Sequence, residues 1–545
     1  GLPATSMGRI ALAMAPSNSD YLYASITNGS TSGLLGLYRT TNGGTSWTLQ
    51  NSSTNYLGQQ GWYDNAVTVN PNNPDLVIVG GLDIYSSSNG GTILTKKTVW
   101  STTSPSNMSH ADIHFLKYNG NTLYCGSDGG VYKSSDDAST WSDMNATIST
   151  LQYQSADYDP TDPQKLYGGC QDNNIESSIN SGTQWIQRQT GDGGYTIVDF
   201  ESPNYIYSQY VNGSLKRSSD YAHTFSEISP SSSTGGLFYN PYEMSPTDHN
   251  IIVYGQGDVW RTLNATSASS SSGWDMIAST STVNGSVSAI GIGAQSADKI
   301  YIGTSGGKIL VTNNGGATWS SVGGSQYVSD FAVDPNDDNI CYTAYGGFNA
   351  SFHVTKTTDG GITWQNITSN FPNIAANTVA LRTEAPRMIF VGTDLGVFMS
   401  ADEGGTWYAF NNGFPSVQVY DLKYKSSTGL LMAATHGRGC FMYNVASAVD
   451  DFVAYPSLVS FGSVFLGATK PDSITVTNPL NAVLTISSVQ SSSEFFTVTP
   501  TNAVIQPYTS KKFYISYSPA QLDQVEGKVI FTHDGTHSQI GRAHV

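Results

Sequence analysis

"TNNGGATWSS" spans Thr312 to Ser321, and its relatives recur along the chain as "TTNGGTSWTL", "TTDGGITWQN" and "SADEGGTWYA". Each joins an Asn-Gly or Asp-Gly turn, which supplies the positive φ that a tight hairpin requires, to an aromatic residue a few positions on. Aligning that last position gives Trp47, Leu94, Trp141, Trp185, Phe225, Trp274, Trp319, Trp364 and Trp407, at spacings of 47, 47, 44, 40, 49, 45, 45 and 43 residues. Leu94 marks a degenerate copy, and those at Asp220–Phe225 and Ala265–Trp274 read as eroded. A period this regular is a repeat architecture.

Outward from the hairpin, every period has one grammar. A first strand ends in Asn-Pro or Asp-Pro ("AVTVNP", "FAVDPN", "SADYDP"), and a second follows ("LVIVGG", "KIYIGT", "MIFVGT"). A Gly-rich turn leads to a third strand ("LYRTT", "VYKSS", "VFMSA"), then to the hairpin and a fourth. The Trp is expected to cover the hairpin while the Asp or Asn side chain bonds turn amides. Four antiparallel strands per period make a β-propeller blade.

The hairpins resemble Asp-boxes (BNR repeats), best at Thr357–Trp364 and Ser400–Trp407, and the likeness spans most of Gly1 to Val445. A tenth unit, "VYDLKYKSSTGLLMAATHGRGCFMYNV", offers only three strands. The expected fold is all-β, a propeller of about ten visible four-stranded blades. Two arrangements fit: one ten-bladed ring, similar to the sortilin-type receptor propeller, or parts of two seven-bladed rings, similar to xyloglucanase-type glycoside hydrolases. Two rings are preferred, because a missing N-terminal stretch accounts both for the start at Gly1 without Met and for the missing strand. Closure is expected to need a strand from some other segment.

After "ASAVDD" the box disappears and short alternating strands take over ("DSITVTNP", "KKFYISYSP", "EGKVIFTHD"), the pattern of an immunoglobulin-like sandwich. This part resembles ASPM–SPD-2–hydin-type, or choice-of-anchor D, domains, which implies a spacer or adhesion module. The expected domains are 1–447 propeller, 448–539 sandwich and 540–545 a non-native tail, "IGRAHV" being the translation of a sequencing adapter.

Composition narrows the function. A net charge of −17 argues against nucleic acid or an anionic membrane as partner, and no apolar run reaches the length of a membrane span. Four cysteines (Cys125, Cys170, Cys341, Cys440) lack both a disulfide framework and zinc spacing; they read as free thiols, with a Cys125–Cys170 bridge the alternative. The chain is expected to be secreted or on the cell surface, and bacterial.

Chemistry is expected on the face of the strand two–three loops and the loops entering each first strand. Polar residues that the fold does not need gather there: Trp62, Tyr63 and Asp64; His110, Asp112 and His114; Gln171 and Asp172 with Asn173; Asp192; His436 and Arg438. On a strand, His110, Asp112 and His114 would share a face suited to a metal. Such residues more often hydrogen-bond neighbouring blades, and no metal or cofactor is expected. A rim Asp is more often a turn partner than a catalytic acid.

Sialidases share the box but need an arginine cluster and an Arg-Ile-Pro segment; "GRIAL" at Gly8–Leu12 is not that motif. Xyloglucanase-type enzymes work with two carboxylates across a cleft. Their pattern resembles "GWYDNAVTVNPNNPD", but Ala66 stands where that family places its Asp. Asp64 is displaced by two, which preserves the strand face and leaves it the catalytic candidate. The preferred expectation is a non-catalytic propeller that binds a glycan or surface protein; the alternative is a polysaccharide hydrolase.

Overall fold

The Asp-box is a closed hydrogen-bond circuit. In the last copy Ser400 Oγ donates to Asp402 Oδ1 at 2.8 Å and accepts from the Gly404 amide at 2.9 Å, while Asp402 Oδ1 accepts from the Thr406 amide at 2.8 Å. The same circuit runs through Thr40/Asn42, Ser87/Asn89, Ser134/Asp136, Ser178/Asn180, Ser218/Asp220, Thr312/Asn314 and Thr357/Asp359. The copies before Leu94 and Phe225 are therefore intact; only their aromatic position has drifted. The copy before Trp274 has diverged, keeping just the Asn264 amide on Thr262 Oγ1.

The tryptophan does more than cover its own hairpin. Trp274, Trp319 and Trp407 each donate Nε1–H at 2.8 Å to a backbone carbonyl in or just past the fourth strand of the blade before: Ile228, Ile277 and Ile367. The box staples neighbouring blades together. Trp407 and Trp141 are buried, and the others are half-buried.

Thr224 and Thr363 hold the Asp220 and Asp359 carboxyls down at about 2. A carboxyl lowered on folding stabilises the fold above its ordinary range, and that stability is lost as pH falls from about 4 to about 2. Unfolding followed across this window should therefore be less pH-dependent in Asp220→Asn and Asp359→Asn, which copy the Asn boxes already present. Identical acid profiles for variants and parent would refute the assignment.

The computed structural model describes all residues except 101–109, 190, 349–350, 385–386, 411–413, 446–452, 456–458, 479–481, 508, 521–526, 535–542 and 545. These residues form two compact units, Gly1–Thr150 and Leu151–Val545. Helix is confined to Thr280–Val283 and a 3-10 turn at Asn145–Thr147 among the described residues. The first unit holds blades 1 to 3 (7–51, 66–96, 113–143), each a four-stranded antiparallel sheet.

The second unit holds blades 4 to 9 (153–187, 193–227, 242–278, 287–322, 328–366, 376–409), four-stranded, and blade 10 (419–444), three-stranded. Their first strands follow one another around a centre, and Val419–Lys425 of blade 10 returns against Tyr153–Asp159 of blade 4. Seven blades thus close on themselves, so the single ten-bladed ring is not what the chain forms. Closure also needs no borrowed strand among the described residues. Gln152 bridges to His436, and the Gly437 and Gly439 amides donate to Leu151 O at 3.1 Å. Tyr153, Ala156 and Cys170 pack on Met432 and Ala434 across the seam. All four cysteines are free thiols, so no Cys125–Cys170 bridge forms.

The C-terminal part is a sandwich. Val453–Tyr455, Lys470–Thr477, Ser510–Tyr517 and Phe496–Thr499 form one sheet; Ala503–Ile505, Leu484–Ser491, Lys528–His533 and Ala543–His544 form the other. Phe513, Ile515, Ile474 and Val476 meet Ile486, Val529 and Phe531 in its core. The expected 540–545 tail lies outside the described residues apart from Ala543–His544, whose backbone pairs with Lys528–Val529.

Candidate functional site

In the first unit three loops supply one polar cluster. The chain leaving blade 1 turns tightly, the Tyr63 and Asp64 amides donating to Gln60 O at 2.7 and 3.0 Å. This turn drives the Asp64 side chain inward, fully buried, and leaves Trp62 outside at 66% exposure with Tyr63 beside it at 5.5 Å. The second loop carries His110 and Asp112 into blade 3, and the third is the turn after Thr122–Ser127, which carries Asp128. Gly129 is needed there, because a Cβ would lie 2.3 Å from the His110 side chain.

Asp128 is the hub. It accepts from Tyr63 Oη at 2.8 Å and pairs with His114 Nε2 at 2.7 Å, and the Tyr63 and His114 rings meet edge to face. Gln60 Nε2 bridges the other two acids, donating to Asp112 Oδ1 and, at 3.2 Å, to Asp64 Oδ2. Oxygens of Asp112 and Asp128 lie within 4.8 Å of each other. Arg9 donates to Tyr63 O and fixes the loop from below.

The electrostatics follow from burial and crowding. Burial pushes the Asp64 carboxyl up to about 7, the Asp112 charge adding to this and the Gln60 bond opposing it. Burial and Asp128 raise Asp112 likewise. The Asp128 bond raises His114 and favours its charged form. Asp64 Oδ1 is buried with no donor facing it, a cost of about 1–3 kcal/mol when the carboxyl is ionised.

The expectation for "HADIH" needs correction. His110 and Asp112 precede the strand Ile113–Asn119, and Asp112 sits at φ +64°, so the three residues do not alternate along one strand face. The left-handed residue swings Asp112 toward Gln60 instead. Gln60 and Asp128 were not among the sequence candidates. The "SDGG" turn between strands two and three was a signal for Asp128; nothing local marked Gln60.

In the second unit the Asp172 amide donates to Asp192 Oδ1 at 3.0 Å, and the Gln171 amide to Gln152 O at 3.0 Å. Gln152 is also the bridge partner of His436, whose ring lies 4.9 Å from Tyr420 and whose pKa burial lowers. Arg438 is exposed. Gln171 and His436 lie along the seam of the ring, where closure accounts for them, whereas Asp172 and Asp192 meet at the junction of blades 4 and 5.

The 740 Å3 cavity of this unit lies on the other face. It is ringed by the strand one–two turns of all seven blades, from Pro160 to Ser426, on the side of the box hairpins. The sequence had pointed to the opposite face.

No curated protein sequence matches the chain. Among solved structures it is similar to YCF48 from Cyanidioschyzon merolae, at 14% identity and TM-score 0.41 over 54% of this chain and 95% of that one. It is also similar to a GH74 xyloglucanase from Xanthomonas campestris (14%, TM-score 0.28, 79% and 90%) and to a GH74 enzyme from Niastella koreensis (15%, TM-score 0.23, 80% and 83%). Residues 447–540 match the family model described as "Abnormal spindle-like microcephaly-assoc'd, ASPM-SPD-2-Hydin", so this segment is an immunoglobulin-like domain of that family.

Proposed function

We propose that this is a secreted or cell-surface binding protein whose first unit holds a glycan on the Trp62–Tyr63 platform, the sandwich serving as spacer or anchor. The supporting observation is the pairing of an exposed indole with a tyrosine locked by Asp128. A sugar ring stacks on such a face, and Asp112 and Asp128 at its edge accept from sugar hydroxyls. Asp64 contributes from beneath. It is fully buried under Gln60, so it positions Asp112 rather than touching a substrate.

A hydrolase is the second reading, and the close Asp112–Asp128 pair favours it. Titration with cellohexaose and a xyloglucan oligosaccharide, followed by Trp fluorescence, separates the two. Trp62→Ala should weaken binding about tenfold or more, with no reducing ends released by the parent protein. Cleavage by the parent that Asp112→Asn abolishes would establish the hydrolase; unchanged affinity in Trp62→Ala would remove the platform.

A further inference from the structure

The centre of the seven-bladed ring narrows to a waist. Glu243, Asp330, Asp421 and Lys423 line both the 740 Å3 funnel and a cavity of about 50 Å3 beyond it. Above the waist the funnel wall is mixed: the largely buried Ile197, Ile290, Phe331, Val379 and Leu422 alternate with polar Ser245, Thr247, Gln295, Asn336 and Thr383. Five carboxylates (Asp157, Glu243, Asp330, Glu384, Asp421) face two lysines (Lys423, Lys425).

Most of these charges are already engaged. Lys423 donates to Thr196 O at 2.6 Å and lies 3.6 Å from Asp421, and Lys425 pairs with Asp157 at 2.6 Å. Asp330 accepts from Thr378 Oγ1 and the Val379 amide, and Asp421 from Ser155 Oγ. Glu243 differs: it is open to the lumen and has no hydrogen-bond partner among the described residues. With both lysines held, the funnel does not suit an anion. Nor do three waist carboxylates converge at metal-ligand spacing among the described residues. What fits is an organic cation small enough to enter the funnel.

We propose that this funnel is a second binding site, separate from the Trp62 platform, for an aliphatic amine whose ammonium group pairs with Glu243 while its chain lies in the funnel. Desolvation in the narrow waist raises the Glu243 carboxyl, Lys423 opposing this and Asp330, Asp421 and Asp157 adding to it. Pairing with an ammonium group therefore expels a proton, and affinity should rise with pH until the carboxyl is ionised.

Calorimetry of the full chain with 1,5-diaminopentane tests this. Between pH 6 and pH 9 affinity should increase at least about threefold as the coupled Glu243 and Asp330 carboxyls ionise. Proton release should appear as a heat that depends on the buffer. Glu243→Gln keeps the side-chain volume and should abolish both binding and proton release, with a melting curve verifying the fold. Absence of binding at millimolar amine, a pH-independent affinity in the parent, or equal binding by a folded Glu243→Gln protein would each overturn the proposal.

Discussion

Trp407→Ala destabilises the seven-bladed ring by about 3–5 kcal/mol, the range for emptying a buried aromatic site. Its indole is 3% exposed, packs edge to face on Phe371 at 5.3 Å, and donates to Ile367 O at 2.8 Å. Its backbone is tied twice to the Asn370 side chain, at 2.7 and 3.0 Å. The substitution thus opens a cavity and cuts a link between blades 8 and 9. Trp319→Ala, half-buried with the same bond to Ile277 O, should cost about 2 kcal/mol. Trp364 provides the contrast: its Nε1 is buried and unpartnered, so Trp364→Phe loses no bond, whereas Trp319→Phe loses about 1 kcal/mol. Denaturant unfolding with hydrogen exchange at the Gly404 amide reads both local and global loss. A Trp407→Ala protein with unchanged exchange and midpoint would show that the box is not an inter-blade staple.

What was legible in the sequence is what ten consecutive residues can encode. Turn chemistry at Asn314-Gly315 or Asp359-Gly360 is local, so blades and their number could be read directly. What escaped was long-range. The indole bonds of Trp319 and Trp407 reach back about one period, and the Gln60–Asp112 contact crosses from one blade junction to the next. Trp62, Tyr63, Asp112 and His114 were legible as polar or aromatic rim residues without a fold role; their geometry was not, because one left-handed residue at Asp112 broke the strand periodicity that linked them. Glu243 was invisible for a related reason. Between buried Tyr242 and Met244 it alternates as any outward-facing strand residue does, and only ring closure turns that direction into a lumen. Closure itself depends on blades at opposite ends of the repeat array, which no period predicts.

The last expected result concerns that closure. Lys425 Nζ donates to Asp157 Oδ1 at 2.6 Å and to Tyr158 O at 2.7 Å, joining blade 10 to blade 4, and lies over the Tyr158 ring. Asp157 is 4% exposed and also accepts from the Val198 amide at 2.8 Å. Burial alone would raise its carboxyl; the Lys425 and Lys423 charges with the amide bond more than offset this and hold it below the ordinary range. Its contribution is therefore present above about pH 4 and lost as pH falls through the lowered value. Lys425→Met keeps the aliphatic stem but leaves a buried carboxylate with Lys423 at 4.0 Å as its nearest cation, and should cost about 3–5 kcal/mol. Most of that cost is the stranded charge rather than the lost attraction, so adding Asp157→Asn should restore much of the stability. The single variant should also begin to recover as pH falls and Asp157 takes up a proton, opposite to the parent's trend. A Lys425→Met protein as stable as its parent, or one that Asp157→Asn fails to rescue, would mean that the ring is held shut by the Leu151–Gly439 backbone bonds and the Tyr153 packing alone.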